Sequence, residues 1–256
     1  MPTDSSEYRS RKQFYDQMLT IYGRKPVLEA LSDSTLPAYK LHLADSNRDD
    51  GIISEIKRVA DSRGITVAYH SRQALSRISR NGKQDQGVAL DLQLPSYRDY
   101  QTLLTSEKSN QRLIALDRIT NPQNLGMIIR SVAASGITGL ILPKNGCASL
   151  SPLVAKASAG TLFKAPIYYC DELGACLEAL ANAEFSLATL SSHAKQSLLD
   201  HQPAQRTVYV LGNETDGVSS GIAKRCAVQL AIPMHNGVES LNVAITAALI
   251  AFYQRP

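Results

Sequence analysis

Two hydrophobic periods alternate along the chain beyond residue 20. Tyr39–Ala44 is apolar at every second position, the period of a half-buried strand, whereas residues 51–63 are apolar at 52, 53, 56, 59 and 60, the spacing of one helix face. A short helix Pro26–Leu31 with Pro in its first turn, a strand Ile65–Tyr69, a short helix Arg72–Ile78 and a strand Gly87–Leu94 complete the pattern. These elements predict a small α/β domain over residues 21–95, with helices packed on a sheet. Residues 1–20 are polar and charged and read as a flexible tail. Residues 96–110 are polar without a period and read as a linker.

A second domain is predicted over 111–256, with strands Leu113–Leu116, Gly139–Leu142, Pro166–Tyr169, Phe185–Leu190, Val208–Leu211 and Val228–Ile232. Helices Met127–Ser135, Pro152–Ala157, Glu172–Asn182 and one near Ser219–Arg225 fall between them. Strands rich in Val, Ile and Leu alternating with helices mean a largely parallel sheet covered on both faces. The last segment, Val238–Tyr253, starts with Glu239, Ser240 and Asn242 and then loses every polar face. A helix apolar all round must be buried, in this chain or against a partner. Ser240 at its mouth has two readings, a helix cap or part of a ligand site.

Composition narrows the class without choosing a function. The chain has 256 residues, room for one large or two modest domains, and a net charge of +4 divided equally between residues 1–110 and 111–256. That balance is compatible with nucleic acid and does not demand it. Four scattered cysteines without a Cys-x-x-Cys pair argue against zinc and against a disulfide framework. No apolar run approaches the roughly 18 residues needed to span a bilayer. The expectation is a soluble cytoplasmic protein with no metal and no membrane partner.

Three loops in the second domain carry candidate chemistry, because parallel α/β sheets bind ligands beyond the carboxyl ends of their strands. The first, Asp117–Gly126, is rich in side-chain amides, with Asn121-Pro122 reading as a turn and Gly126 as a packing glycine, and feeds a helix bearing Arg130 among Met127, Ile128, Ile129 and Val132. That arginine either snorkels or pairs structurally, or it is reserved for an anion. The second, Leu211–Val218, places Gly212 and Gly217 around Glu214 and Asp216. Its acids disfavour a phosphate cradle and suit hydroxyls, amines or a cation; a plain turn capped by Asp216 is the alternative. The third runs from Ile232 to Val243 and includes His235, for which no Ser–His–Asp order can be assigned. In the first domain, seven basic residues between Lys57 and Lys83 face Asp61 alone. Arg72, Arg77, Arg80 and Lys83 among them read either as a solvated face or as a phosphate-backbone surface.

Together, Asn121-Pro-Gln-Asn-Leu-Gly-Met-Ile-Ile-Arg130, Leu211-Gly-Asn-Glu-Thr-Asp-Gly217, and Ile232-Pro-Met234 followed by Ser240-Leu-Asn-Val243 resemble the three signature motifs of the SpoU (TrmH) family of SPOUT methyltransferases. Tyr22-Gly-Arg-Lys-Pro-Val-Leu-Glu-Ala-Leu31 and Gln86-Gly-Val-Ala89 are similar to the ends of that family's L30e-like RNA-binding domain. The resemblance implies S-adenosylmethionine-dependent methylation of a ribose 2′-hydroxyl in RNA, most like the type acting on a guanosine of 23S rRNA. A tRNA ribose methylase is the rival, and a non-catalytic RNA-binding ribosome-assembly factor is the alternative of another class. It also implies an α/β SPOUT domain with a parallel sheet, a deep trefoil knot and a homodimer through that knotted domain. By position, Arg130, Asn124, Glu214, Ser240 and Asn242 fall on catalytic and RNA-site positions. Leu190, Gly212, Ile232, Leu241 and Asn242 fall on cofactor positions, where adenine is held largely by main-chain hydrogen bonds.

Overall fold

A computed structural model describes residues 18–95, 97–192 and 194–253. The chain divides into two compact units at residues 96/97. The expected tail over 1–17 lies outside the described residues.

The first unit runs β1 (Met18–Tyr22), α1 (Arg24–Ser32), β2 (Ala38–Ala44), α2 (Gly51–Ser62), β3 (Thr66–His70), α3 (Arg72–Ser79) and β4 (Val88–Gln93). Residues 18–20, assigned to the tail by polarity, are instead the start of β1, whose register pairs Met18 with Gln93. The sheet order is β1-β4-β2-β3, with β4 antiparallel to both neighbours and β2 parallel to β3. Burial alternates in β1, where Leu19 and Ile21 are inside, whereas the central strands β2 and β4 are buried at consecutive positions, with Leu41, Leu43, Leu90 and Leu92 inside. Between them a polar ladder crosses all four strands. Thr20 Oγ1 donates to Asp91 Oδ1 at 2.6 Å, Asp91 Oδ2 lies 3.0 Å from His42 Nε2, and His42 Nδ1 lies 2.9 Å from His70 Nε2.

The second unit contains β5 (Arg98–Asp99), α4 (Gln101–Leu104), β6 (Gln111–Leu116), α5 (Pro122–Ala134), β7 (Gly139–Pro143), α6 (Pro152–Ala157) and β8 (Ile167–Cys170). It continues through α7 (Leu173–Asn182), β9 (Ser186–Leu190), β10 (Gln196–Ser197), β11 (Arg206–Leu211), α8 (Ser220–Ala223), β12 (Val228–Ala231) and α9 (Val243–Tyr253). Its eight strands lie in the order β10-β12-β9-β11-β6-β7-β8-β5, every neighbouring pair parallel. From β6 the chain first builds outward to β7 and β8. It then crosses to β9 and returns to set β11 against β6, which makes the β6/β11/β9 region the topological switch point where such sheets take ligands.

Two sequence expectations change. The linker over 96–110 is not a free connector: β5 pairs with β8, and Leu103 is buried in the core beside Leu113 and Leu177. Arg206 holds it further, donating to the carbonyls of Leu103 and Ala183 and to Gln111 Oε1. Polarity hid this because one buried leucine and one arginine fan suffice to anchor a short segment. Second, α5 begins at Pro122, so half of the segment read as a loop is helix, and Arg130 lies more than two turns inside it. Asn121 caps it, accepting from Gln123 and Asn124 amides, and Pro122 takes the first position, so Asn-Pro is a helix start rather than a turn. The expectation for α9 allowed cover from this chain or from a partner, and within one chain Ile245 is 53% and Phe252 40% exposed.

Candidate functional site

The carboxyl ends of β9, β11 and β12 open into a cavity of about 500 Å³. Leu190, Gly212, Ile232 and Leu241, four of the five expected cofactor positions, line it, together with Glu214 and Ser240. Asn124, Asn242 and Arg130 do not.

Asn124 and Asn242 form its support. Asn242 is the cap of α9: its Oδ1 accepts from the Ala244 amide at 2.9 Å, and its carbonyl accepts from the Thr246 amide at 3.0 Å. Ser240 is therefore not the cap, and its exposed hydroxyl stays with the cavity. Asn242 Nδ2 donates to Asn124 Oδ1 at 3.1 Å, and Asn124 Nδ2 donates to Glu214 Oε1. One relay of side chains thus ties the starts of α5 and α9 to the loop after β11. Asn124 is buried in the first turn of α5, where its amide can hydrogen-bond in both directions at once.

The loop after β11 closes on itself. The Gly217 amide donates to the Asn213 carbonyl at 2.8 Å, with Gly217 in the left-handed region at φ +65°. A Cβ on Gly212 would stand 2.1 Å from the Gly217 carbonyl carbon and 2.2 Å from the Val218 nitrogen, so only glycine permits this approach. The loop after β6 locks onto it. Asn213 Nδ2 donates to the Arg118 carbonyl, Arg118 Nη2 to the Gly217 carbonyl, and the Ser219 amide to Asp117 Oδ2 at 2.6 Å. Asp216 is thus no cap; its carboxylate lies 3.6 Å from Arg118 Nη1. Gly126 proves to be a packing glycine, since a Cβ there would meet Ala157 Cβ at 2.5 Å and the Val154 carbonyl at 2.8 Å.

Asp117, Arg118 and Asn213 are residues the sequence reasoning misses, and so is Thr189. Thr189 lines the cavity, is 3% exposed, and its Oγ1 has no hydrogen-bond partner. Leaving a buried hydroxyl unpaired costs about 1–3 kcal/mol, a debt that a bound polar ligand cancels. A hydroxyl inside the apolar run of β9 was the available signal. The cavity's volume suits a cofactor-sized molecule, and the carboxylates of Glu214, Asp216 and Glu239 along its wall suit one that carries positive charge. The residues present therefore fit S-adenosylmethionine.

Arg130 is exposed and has no ion pair among the described residues. It stands six residues beyond Asn124, about 240° around the helix, so the two do not share a face. Of the basic run in the first unit, Arg63 is a structural clamp, donating to the carbonyls of Leu31, Asp33 and Leu36, and Lys57 pairs with Asp49 at 3.0 Å. Arg72, Arg77, Arg80 and Lys83 are exposed. Arg72 opens α3, while Arg77, five residues on, is turned about 140° from it.

Known proteins carry the same pattern across both units. The SpoU rRNA methylase family matches residues 111–252, and the RNA 2′-O ribose methyltransferase substrate-binding family matches residues 20–98. An uncharacterized tRNA/rRNA methyltransferase of Mycolicibacterium vanbaalenii is 32% identical over 245 residues, covering 94% of this chain and 77% of its own. The SpoU methyltransferase AviRb of Streptomyces viridochromogenes, solved with the cofactor AdoMet, superposes with a TM-score of 0.68 at 23% identity over 97% of this chain and 91% of its own. An AdoMet-bound rRNA methyltransferase of Sinorhizobium meliloti gives 0.67 at 22% identity, over 97% and 89%. These two likenesses are of fold, and the matched family over the three interlocked loops carries the assignment: the chain belongs to the SpoU rRNA methylase family.

Proposed function

We propose that the protein methylates a ribose 2′-hydroxyl of ribosomal RNA, at a guanosine of the large subunit. That it is an RNA 2′-O-ribose methyltransferase using S-adenosylmethionine follows from its family. The ribosomal target is the finer step. It is supported by the two-unit layout, shared nearly end to end with the S. meliloti rRNA methyltransferase. The observation that carries the site is the relay from Asn242 through Asn124 to Glu214, which binds three chain segments around one cavity.

When bound, S-adenosylmethionine supplies an electrophilic methyl group. The chain's own residues bind, orient and stabilise. Leu190, Gly212, Ile232 and Leu241 hold the cofactor, chiefly through backbone. Ser240 and Glu214 border the space where a ribose would enter, and Asn124 and Asn242 keep Glu214 in place. Arg130 is the phosphate contact next to the target ribose. Arginine keeps its proton above about pH 12, so bidentate orientation of the phosphate is the economical role rather than general base. The exposed apolar surface of α9 at Ile245 and Phe252 supports a homodimer through this unit, and the return of α9 to α5 after β12 supports the knotted threading. In the first unit, Arg72, Arg80 and Lys83 supply the RNA-binding charge, while Arg77, turned about 140° from Arg72 on α3, lies off the Arg72 face.

Mapping 2′-O-methylation in rRNA and tRNA from cells with and without the protein tests the target. Loss at one rRNA nucleotide supports it, and loss confined to tRNA refutes it. Arg130→Ala is expected to abolish methylation while S-adenosylmethionine still binds calorimetrically, and Arg130→Lys to be nearly as poor. Full activity in either variant overturns the clamp.

A further inference from the structure

The first unit holds a basic feature that the run from Lys57 to Lys83 does not contain. Arg24, the first residue of α1, is kept in place by neutral groups only. Its Nε donates to the Gln86 carbonyl and its Nη2 to Asn47 Oδ1, both at 3.4 Å, and its backbone amide donates to Gln86 Oε1 at 3.0 Å. No carboxylate pairs with it among the described residues. Asn47 is itself fixed, donating from Nδ2 to the Gly87 carbonyl at 2.7 Å.

Arg72 approaches the same spot from the other side. A Cβ on Gly87 would meet Asn47 Oδ1 at 2.7 Å and Arg72 Nη1 at 3.1 Å, so both groups press on this glycine, whose φ is +76°. Arg72 Nη2 lies 3.6 Å from Asp85 Oδ1. Asp85 is fully buried and is also satisfied by Ser79 Oγ and the Gly87 amide, each at 2.9 Å. Two guanidinium groups therefore converge on one turn against a single carboxylate, and that carboxylate already has two other donors. Neutral acceptors orient Arg24 without cancelling its charge, and five N–H donors per guanidinium leave most of them free. Fixed forks of this kind match the oxygens of a phosphodiester.

We propose that Arg24 and Arg72 form a two-guanidinium clamp over the Gln86-Gly87 turn that takes one backbone phosphate of the RNA substrate. The assignment rests on the RNA reading above and sharpens it. Arg24 joins the surface, and Arg77, on another side of α3, stands outside it.

The test uses the full chain and an in vitro transcript of large-subunit rRNA, with affinity measured across a salt series. Arg24→Gln leaves every partner of Asp85 in place, so it keeps the test clear of misfolding; Arg72→Gln, the double variant and Arg77→Gln complete the set. Each clamp variant is expected to weaken binding about tenfold, the scale of one charge-assisted contact. Each should also reduce the slope of log affinity against log salt by up to about 0.9. The double variant should lose little more than either single one, because the phosphate is shared. Arg77→Gln should leave both quantities near wild type. Wild-type affinity in Arg24→Gln, or fully additive losses in the double variant, overturns the clamp. Wild-type protein that holds no RNA at about 50 mM salt overturns it as well. Calorimetry with S-adenosylmethionine on the same samples separates the two readings: absent cofactor binding with an altered salt slope defeats the methyltransferase site and leaves the clamp standing.

Discussion

Replacing Gly212 by alanine is the sharpest test of how the cavity is built. The new Cβ would lie 2.1 Å from the Gly217 carbonyl carbon, 2.2 Å from its oxygen and 2.2 Å from the Val218 nitrogen. Ordinary contact begins near 3.4 Å, so the 212–218 loop must retreat by more than 1 Å. All three obstacles are backbone, and no side-chain rotation relieves them. Retreat breaks the bond from the Gly217 amide to the Asn213 carbonyl and those between Arg118 and the loop. At about 1 kcal/mol for each of two or three bonds, the cost is about 2–3 kcal/mol. Restoring the closed loop around the cofactor would take that energy from binding, a loss of roughly 30- to 150-fold in affinity. Calorimetry with S-adenosylmethionine reads the loss, and thermal unfolding reads any share borne by stability. Gly221→Ala, where an added Cβ meets nothing within 4 Å, is the matched control. Gly212→Ala with cofactor affinity within twofold of wild type and an unshifted Tm would refute the close-approach argument.

Asn242→Asp keeps the α9 cap but replaces the donor facing Asn124 with a carboxylate; methylation should fall at least tenfold with a modest drop in Tm. Asn242→Ala should lower Tm further by losing the cap, about 1 kcal/mol, and a fully active Asp variant would remove the relay from the mechanism. The polar ladder of the first unit sets a pH dependence. Burial, and then the neighbouring His42, hold the His70 imidazole below its ordinary 6.5. Burial pushes Asp91 up, but hydrogen bonds with His42 and Thr20 outweigh it and leave the carboxyl below its ordinary 3.8. Both groups bind fewer protons folded than unfolded, so their stabilisation is present above those ordinary values and is lost as pH falls through the folded ones. Urea midpoints should be flat above about pH 7, decline below 6.5 and decline again below 3.8; a midpoint that rises on acidification from 7 to 5 contradicts the signs.

Much of this was legible in one dimension because local rules govern it. The β–α alternation from β6 onward gave the parallel sheet, and the glycines at 212 and 217 marked a tight loop. What escaped depends on distance along the chain. Asn124 and Glu214 are 90 residues apart and Asn124 and Asn242 are 118 apart, so no window shows that the three are one unit. Asn121-Pro122 was read as a turn because a helix cap and a turn use the same residues, and only the following amides decide. Ser240 and Asn242 compete for one cap on equal chemistry, and the backbone settles it for Asn242. The basic run looked like one surface because charge was counted along the chain; in space Arg63 serves carbonyls, Lys57 serves Asp49, and Arg24, far away in sequence, joins Arg72.

The relay also orders events in time. Asn124, in the middle of the chain, receives its partner Asn242 only after more than a hundred further residues have been made. At about 5–20 residues per second, that is several seconds or more of synthesis during which β6 and α5 exist without a finished cavity wall. The first unit, whose contacts close within residues 18–93, can acquire its shape well before. A nascent chain therefore has its RNA-facing unit early and its cofactor cavity last, so incomplete products are able to meet RNA before they are able to modify it.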